Sequence, residues 1–443
     1  MRRVSFFALV IGAVIFFVVS AASTQEPGGV RELFVVQNSD FTTQHPGGVE
    51  SFDLSPDGKT LAVEFGTHVP DANGKYGKFG VWIALWNVDT QRLVAAQQVE
   101  DDLPVYGEGY NKGLPFAKYE HNLRFSPDGR ALIVLTGPRL VALSLPALKP
   151  LWALVDNPVN PDSGERQMVF TDFSVSVQAD RVAVLREYIR GDLPMYNSGR
   201  VDVGSLEVII ASLSDGKVLA RWGQPGHSES IALSPEGNLL ALVMYPVLPG
   251  SAVIPTGENN VFLLKPNTGE VVSAFNTGYE AGDAKFLPGG EALITVPADH
   301  GAQPQFYPRD VIRIWSVATR QVTRELGYPE YGVRSPSDIA ISANGEWLAV
   351  ADPWHNPTDI RSDRDIIRGW VRLLVWNVPT RKLVHASDDL GPSYALQSGL
   401  PRLFGRPVLV RMAGSGNRLA VGGELISVYS ITQEQRATAE AKQ

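Results

Sequence analysis

The chain has no cysteine among its 443 residues. That excludes disulfides, thiolate metal sites, haem attachment through C-x-x-C-H, a cysteine nucleophile and the lipid-attachment cysteine of a bacterial lipoprotein. Histidine is scarce, at seven residues. There is no H-x-H or H-E-x-x-H spacing, so the sequence offers no ready-made metal site. No N-x-[ST] acceptor occurs, because Asn356 is followed by Pro357. No long helical period is present, and no phosphate-binding or dinucleotide-binding glycine loop: Gly107-Glu108-Gly109 lacks a third glycine. Basic charge is also in short supply. The net charge is −8, and removing Arg2 and Arg3 with a leader takes it to −10. A general nucleic-acid binder carries a basic patch or stripe, so no nucleic-acid partner is expected.

What the chain has is repetition. Phe52 to Val99 reads FDLSPDGKTLAVEFG, an insertion, then VWIALWNVDTQRLVAAQQV. Short apolar runs with two-residue alternation are joined by turn residues. Pro presets φ in the first turn, and Gly58 can take φ > 0. The plan returns in RFSPDGRALIVL, ALSPEGNLLALV, KFLPGGEALITV, AISANGEWLAVA and LVRMAGSGNRLAV, with a weaker copy in VSVQADRVAVL. A four-stranded unit repeated in this way is the blade of a β-propeller. The predicted fold is all-β with seven four-stranded blades, a count that rests on the weak third copy; six or eight are the alternatives. The last copy lacks an outer strand, because the chain turns polar at Thr432. RELFVVQ (31–37) belongs to no blade of its own. It is expected to complete the last blade and close the ring.

The domain reading follows. Residues 1–22 form a signal peptide or an N-terminal membrane anchor: Arg2 and Arg3 precede the apolar run Val4 to Val19, and small residues follow it. The uncharged stretch 4–24 is about long enough to span a bilayer, so it could also tether the chain to a membrane. Either way the propeller is expected outside the cytoplasm, periplasmic or secreted. A linker covers 23–29, the propeller 30–431 and a polar tail 432–443.

Long insertions fall almost wholly on one ring face. They are the connections between second and third strands (66–80, 187–205, 245–260, 298–310, 352–369) and between blades (100–122, 156–171, 327–337, 387–406). The turns of the opposite face are tight. One elaborated face on a rigid scaffold is the usual place for binding. The insertions are rich in aromatics, and Tyr110, Tyr196, Phe306, Trp354, His355 and Tyr394 are the candidate ligand- or partner-contacting positions. An aromatic face of this kind suits a peptide or a glycan, and the same residues would also pack as a cap over the ring. No catalytic set, metal site or cofactor is expected. The acidic loop 352–365 carries its own arginines. Gly226-His227-Ser228-Glu229-Ser230 lacks the final glycine and following helix of a nucleophile elbow.

The copies resemble WD40 repeats: SPDG stands between the first two strands, and LWNV, IWSV and VWNV close the third. Gly226-His227 matches that family's Gly-His pair, and the other copies lack it. The residue after the third-strand Trp is Asn87, Ser316 or Asn377 rather than Asp, so the family's bracing network is mostly absent. The resemblance is to a divergent bacterial member, with TolB-type and quinoprotein-like envelope propellers as neighbours. It implies a platform for protein partners of the cell envelope. The alternative is an extracytoplasmic enzyme or a small-ligand or glycan binder at the ring mouth.

Overall fold

The computed structural model describes residues 30–37, 47–70, 76–104, 121–136, 139–155, 167–189, 205–245, 259–279, 281–297, 311–327, 338–354, 370–387, 409–422 and 425–431. No helix occurs among them. Strand β1 is Val30–Gln37. Blade 1 comprises β2 (Gly47–Leu54), β3 (Thr60–Pro70), β4 (Tyr76–Asn87) and β5 (Arg92–Pro104). Blade 2 comprises β6 (His121–Phe125), β7 (Ala131–Thr136), β8 (Arg139–Ser144) and β9 (Pro150–Val155). Blade 3 comprises β10 (Gln167–Val175), β11 (Val182–Ile189), β12 (Ser205–Ala211) and β13 (Val218–Pro225). Blade 4 comprises β14 (His227–Leu233), β15 (Leu240–Tyr245), β16 (Val261–Leu264) and β17 (Val271–Phe275). Blade 5 comprises β18 (Ala281–Phe286), β19 (Ala292–Pro297), β20 (Ile312–Ser316) and β21 (Val322–Leu326). Blade 6 comprises β22 (Asp338–Ile341), β23 (Trp347–Trp354), β24 (Trp370–Asn377) and β25 (Lys382–Ser387). Blade 7 comprises β26 (Leu409–Met412), β27 (Arg418–Gly422), β28 (Leu425–Ile431) and, outermost, β1. All seven sheets are antiparallel and four-stranded, set around a common axis. The expected closure is present: β1 pairs with β28 from Val30↔Ile431 to Gln37↔Leu425.

The turn motif explains why the copies fold alike. In SPDG the Ser55 hydroxyl donates to Asp57 Oδ1 at 2.6 Å and accepts from Thr60 N at 2.9 Å. Gly58 sits at φ 73°. Ser126 and Asp128 repeat the arrangement, also at 2.6 Å. The hydroxyl bond, helped by a backbone N–H, holds both aspartates below the ordinary carboxylate range. The weak third copy forms its blade by other bonds. There Asp180 accepts from the Ser212 and Ser214 hydroxyls and from Ser214 N.

Neighbouring blades are also clasped near the outer strand. Trp152 Nε1 of blade 2 donates to Leu213 O of blade 3 at 2.8 Å, and Trp222 Nε1 of blade 3 donates to Pro266 O of blade 4 at 2.7 Å. Each indole lies against a turn glycine. A Cβ on Gly269, whose φ is +70°, would stand 2.5 Å from the Trp222 ring. Gly269→Ala is therefore expected to destabilise the protein by about 1–3 kcal/mol, from backbone strain and overpacking. Urea unfolding would read this as a lowered midpoint with an unchanged slope.

One expectation is corrected. The flanks of the insertion 66–80 are strand: β3 runs on to Pro70 and β4 begins at Tyr76, pairing His68↔Phe79 and Val69↔Lys78, and β5 follows as far as Lys78↔Pro104. Once two antiparallel strands leave the blade together, each extra pair satisfies backbone groups that would otherwise need water. The blade sheet simply continues beyond the ring.

Candidate functional site

Each innermost strand ends at the residue that opens its tight turn: Ser55, Ser126, Ser176, Ser234, Leu287, Ser342 or Ala413. In every case its N–H bonds the carbonyl five residues on. Aligned on that residue, the blades show two polar layers lining the axis. The second residue before the turn is Asp53, Arg124, Ser174, Ala232, Lys285, Ala340 or Arg411. The fourth is Ser51, Asn122, Asp172, Ser230, Asp283, Asp338 or Leu409. Residues between them, such as Phe52, Leu123, Phe173 and Ile339, are buried and apolar. Because each inner strand runs from the elaborated face to the tight-turn face, the fourth-residue layer lies nearer the elaborated face. That layer holds the carboxylates Asp172, Asp283 and Asp338. The deeper layer holds the cations Arg124, Lys285 and Arg411 beside Asp53.

These side chains solve a specific problem. An inner strand is a sheet edge whose outward N–H groups lack a strand partner. Side chains of the preceding blade supply one. Phe125 N donates to Asp53 at 2.9 Å, Leu123 N to Ser51 at 3.2 Å, and Leu233 N to Ser174 at 2.9 Å. Ile231 N donates to Asp172 at 3.3 Å, Ala284 N to Ser230 at 3.2 Å, and Val410 N to Asp338 at 3.0 Å. Asn122 Nδ2 joins blade 2 to blade 3 through Asp172 Oδ1 at 3.1 Å. Lys285 Nζ joins blade 5 to blade 6 through Asp338 Oδ1 at 2.9 Å and Ile339 O at 2.6 Å. Blades 7 and 1 meet through the backbone, Ser415 N to Pro56 O at 3.3 Å.

The charges divide into two groups. In blades 5 to 7 they form a continuous chain of ion pairs: Asp283–Lys285 at 3.2 Å, Lys285–Asp338 at 2.9 Å, then Asp338–Arg411. Asp338 and Arg411 are shut away, with side chains 8% and 6% exposed, whereas Lys285 and Asp283 keep 27% and 22%. In blades 1 to 3 the charges feel one another without touching. Arg124 acts electrostatically on Asp53 and Asp172, yet its one hydrogen bond among the described residues goes to its neighbour's carbonyl, Leu123 O, at 3.0 Å.

Ionisation follows this geometry. Burial, then the Asp283 charge, pushes Asp172 up to about 6. Burial pushes Lys285 down to about 8, against the pull of Asp283. Burial, with Arg124 adding to it, also pushes Arg411 well down. Burial raises Asp53, opposed by Arg124 and Arg411. A carboxyl raised from 3.8 to about 6 binds its proton more tightly folded than unfolded. Its contribution to stability is thus most favourable below pH 3.8 and is lost as the pH rises to about 6. Asp172→Asn is expected to remove this component. The difference in urea midpoint between wild type and variant should change across that window and stay flat above it.

The predicted contact residues fall elsewhere. Tyr110, Tyr196, Phe306, His355 and Tyr394 lie outside the described residues. Trp354 is the last residue of β23 and pairs with Trp370 of β24 at the elaborated face. Among the described residues no cluster of metal-ligating groups is present. Ser228 lies within β14, and its hydroxyl shares its one proton between Ser230 O at 3.0 Å and Val243 O at 2.8 Å. The axial charges were the part that sequence reasoning missed. The signal was a charged or hydroxyl residue at one of two offsets, two or four residues before each tight turn, visible only after the copies are aligned on that turn.

No family model and no curated protein matches the chain. Solved structures do. The β-propeller domain of Cps50 (Swd1) from Myceliophteria thermophila is 13% identical over 88% of this chain and 100% of that one, with a TM-score of 0.51. A chain of the mitotic checkpoint complex is 12% identical over 96% of this chain and 100% of that one, with a TM-score of 0.52. At such identities the likeness is one of fold. The chain is a seven-bladed β-propeller.

Proposed function

We propose that the chain is an interaction platform for protein partners, engaged through its elaborated face. The observation that carries this reading is the asymmetry between the two faces. On one, turns of a few residues are locked by Ser–Asp and Ser–Asn bonds such as Ser342 to Asn344 at 2.6 Å. On the other, the chain leaves the ring at Ile189, Tyr245, Pro297 and Trp354 and returns only at Ser205, Val261, Ile312 and Trp370. The strands that anchor these excursions are firmly held. Asn260 and Thr277 bond each other at 2.9 and 3.0 Å, and the Tyr279 hydroxyl meets Thr295 Oγ1 at 2.6 Å. A rigid base under long, aromatic-rich connections suits recognition of a protein surface. One similar structure comes from a multi-protein assembly, which agrees with this reading.

The partners are expected in the cell envelope, since the apolar run after Arg2-Arg3 points to export, with residues 4–24 as a tether if that run is not removed. Alkaline phosphatase, which needs export for activity, should be active when fused after residue 37; an inactive fusion would place the propeller in the cytoplasm. The platform itself is tested by replacing 190–204 and 246–258 with short glycine-serine turns. The trimmed protein should melt with the wild type yet fail to retain the envelope protein that the wild type retains. Equal retention by both would sink the proposal.

A further inference from the structure

The tight-turn face carries an apolar rim. Leu93 and Val94 of β5, Val218 and Leu219 of β13, and Val271 and Val272 of β17 are between 41% and 58% exposed. All six lie within the first three residues of an outer strand, beside the tight turn that precedes it. Blades 2 and 5 add one such side chain each, and Val177 stands in the inner turn of blade 3. Among the described residues one other large apolar side chain, Val155, is comparably exposed, and it ends β9 at the opposite face.

Cations share this rim. The outer turns, taken with the first residue of the strand that follows, hold seven lysines and arginines against three carboxylates. Arg92, Lys149, Lys217, Arg320, Arg381 and Lys382 are exposed and make no ion pair among the described residues. The seventh, Lys265, is paired with Glu270 at 2.7 Å, Asp89 reaches Arg418 at 3.5 Å, and Asp215 accepts from Lys217 N at 3.1 Å. Most carboxylates of this face lie instead on the inner turns, beside the axis: Asp57, Asp128, Asp180, Glu236, Glu291 and Glu346, with Lys59, Arg130, Arg181 and Arg418 among them. On β1, Arg31 and Glu32 cancel.

The chain enters the ring at this same face. Val30 pairs with Ile431, whose N–H donates to Asn417 O of the last tight turn at 3.0 Å. Gln91, in the outer turn of blade 1, donates to Leu33 O at 3.2 Å. Residues 4–24 carry no charge. From Thr24 to Val30 an extended chain spans at most about 20 Å. We infer that the tight-turn face lies on an anionic bilayer surface, with the elaborated face turned away from it. The inference rests on the reading of residues 4–24 as a retained tether. Apolar side chains at the rim reach into the headgroup layer, and each unpaired Lys or Arg near an anionic surface strengthens attachment roughly fivefold.

The absence of cysteine makes the test clean. Thr90→Cys and Thr319→Cys in outer tight turns, and Val155→Cys and Ser205→Cys at strand ends of the elaborated face, each place one fluorophore on the full chain. The protein is reconstituted in vesicles of equal parts phosphatidylglycerol and phosphatidylcholine, with a quencher on the lipid headgroups. Quenching at Thr90→Cys and Thr319→Cys should exceed that at Val155→Cys and Ser205→Cys severalfold. Replacing Arg92, Lys217, Arg320 and Lys382 together by Gln, or using phosphatidylcholine alone, should lower it towards the level of the elaborated face. Quenching equal at the four sites, or strongest at Val155→Cys and Ser205→Cys, would overturn the inference. So would quenching that the Gln variant leaves unchanged, because the tether alone would then hold the chain. Release of the full chain from the vesicles by alkaline carbonate would defeat the tether reading and this inference with it. None of these outcomes involves a partner protein, so the partner-binding reading stands or falls separately.

Discussion

Asp338→Ala is expected to cost about 3–5 kcal/mol, the range for stripping one partner from a buried ion pair. The reason lies in how much converges on this one carboxylate. Its side chain is 8% exposed, and it holds Arg411, Lys285, Val410 N and its own neighbour Ile339 N. Removing it leaves the Arg411 guanidinium, itself 6% exposed, as a buried cation without a carboxylate in contact. It also removes the acceptor that joins blade 6 to blade 7. Arg411→Met should cost less, because Asp338 would keep Lys285 at 2.9 Å. Equilibrium urea unfolding of both variants decides the point. If the two substitutions cost the same, or if Asp338→Ala costs less than about 1 kcal/mol, the ion-pair chain does not hold the ring.

Deleting residues 30–37 should be at least as damaging. Strand β1 covers β28 along its whole length and buries Val30 and Val36, 7% and 1% exposed. Val36 packs in the same apolar cluster as Phe52, Phe65, Trp86 and Val428, which spans blades 7 and 1. Losing two buried valines alone forfeits about 3–6 kcal/mol, at about 1.5–3 kcal/mol each. The bare β28 edge would then be open to pairing with other chains. The deleted protein should aggregate or melt without a sharp transition, and a synthetic peptide VRELFVVQ should restore a cooperative transition. A deletion variant that melts with the wild type would show that the ring does not depend on β1.

The sequence carried the architecture well because the same turn chemistry recurs. Ser, Asp and Gly at fixed offsets impose the same bonds in one blade after another. The leftover run at 31–37 and the missing last strand could be matched by counting. The third blade reads weakly because VSVQAD has no Pro-Asp-Gly, and the bonds that replace it come from Ser212 and Ser214, more than thirty residues away. The extension of β3 to β5 was illegible for a similar reason: its stability comes from cross-strand pairing such as Val69↔Lys78, and nothing in the composition of 66–80 demands a strand. The axial charges were hidden by their own pattern. Asp53 between Phe52 and Leu54 looks like the solvent side of an alternating strand, and only the closed ring turns that side inward. The elaborated face was legible as a place, from the lengths of its connections, and its predicted contact residues fall mostly outside the described residues.

Partners are expected to meet one face and not the other. A photo-cross-linking amino acid placed at strand ends bordering the elaborated face, at Tyr245 and Trp370, and at tight-turn positions, at Lys59 and Lys217, tests it in one experiment. The elaborated-face positions should capture one and the same partner protein while the tight-turn positions capture none. Capture from Lys59 and Lys217, with none from Tyr245 and Trp370, would contradict it.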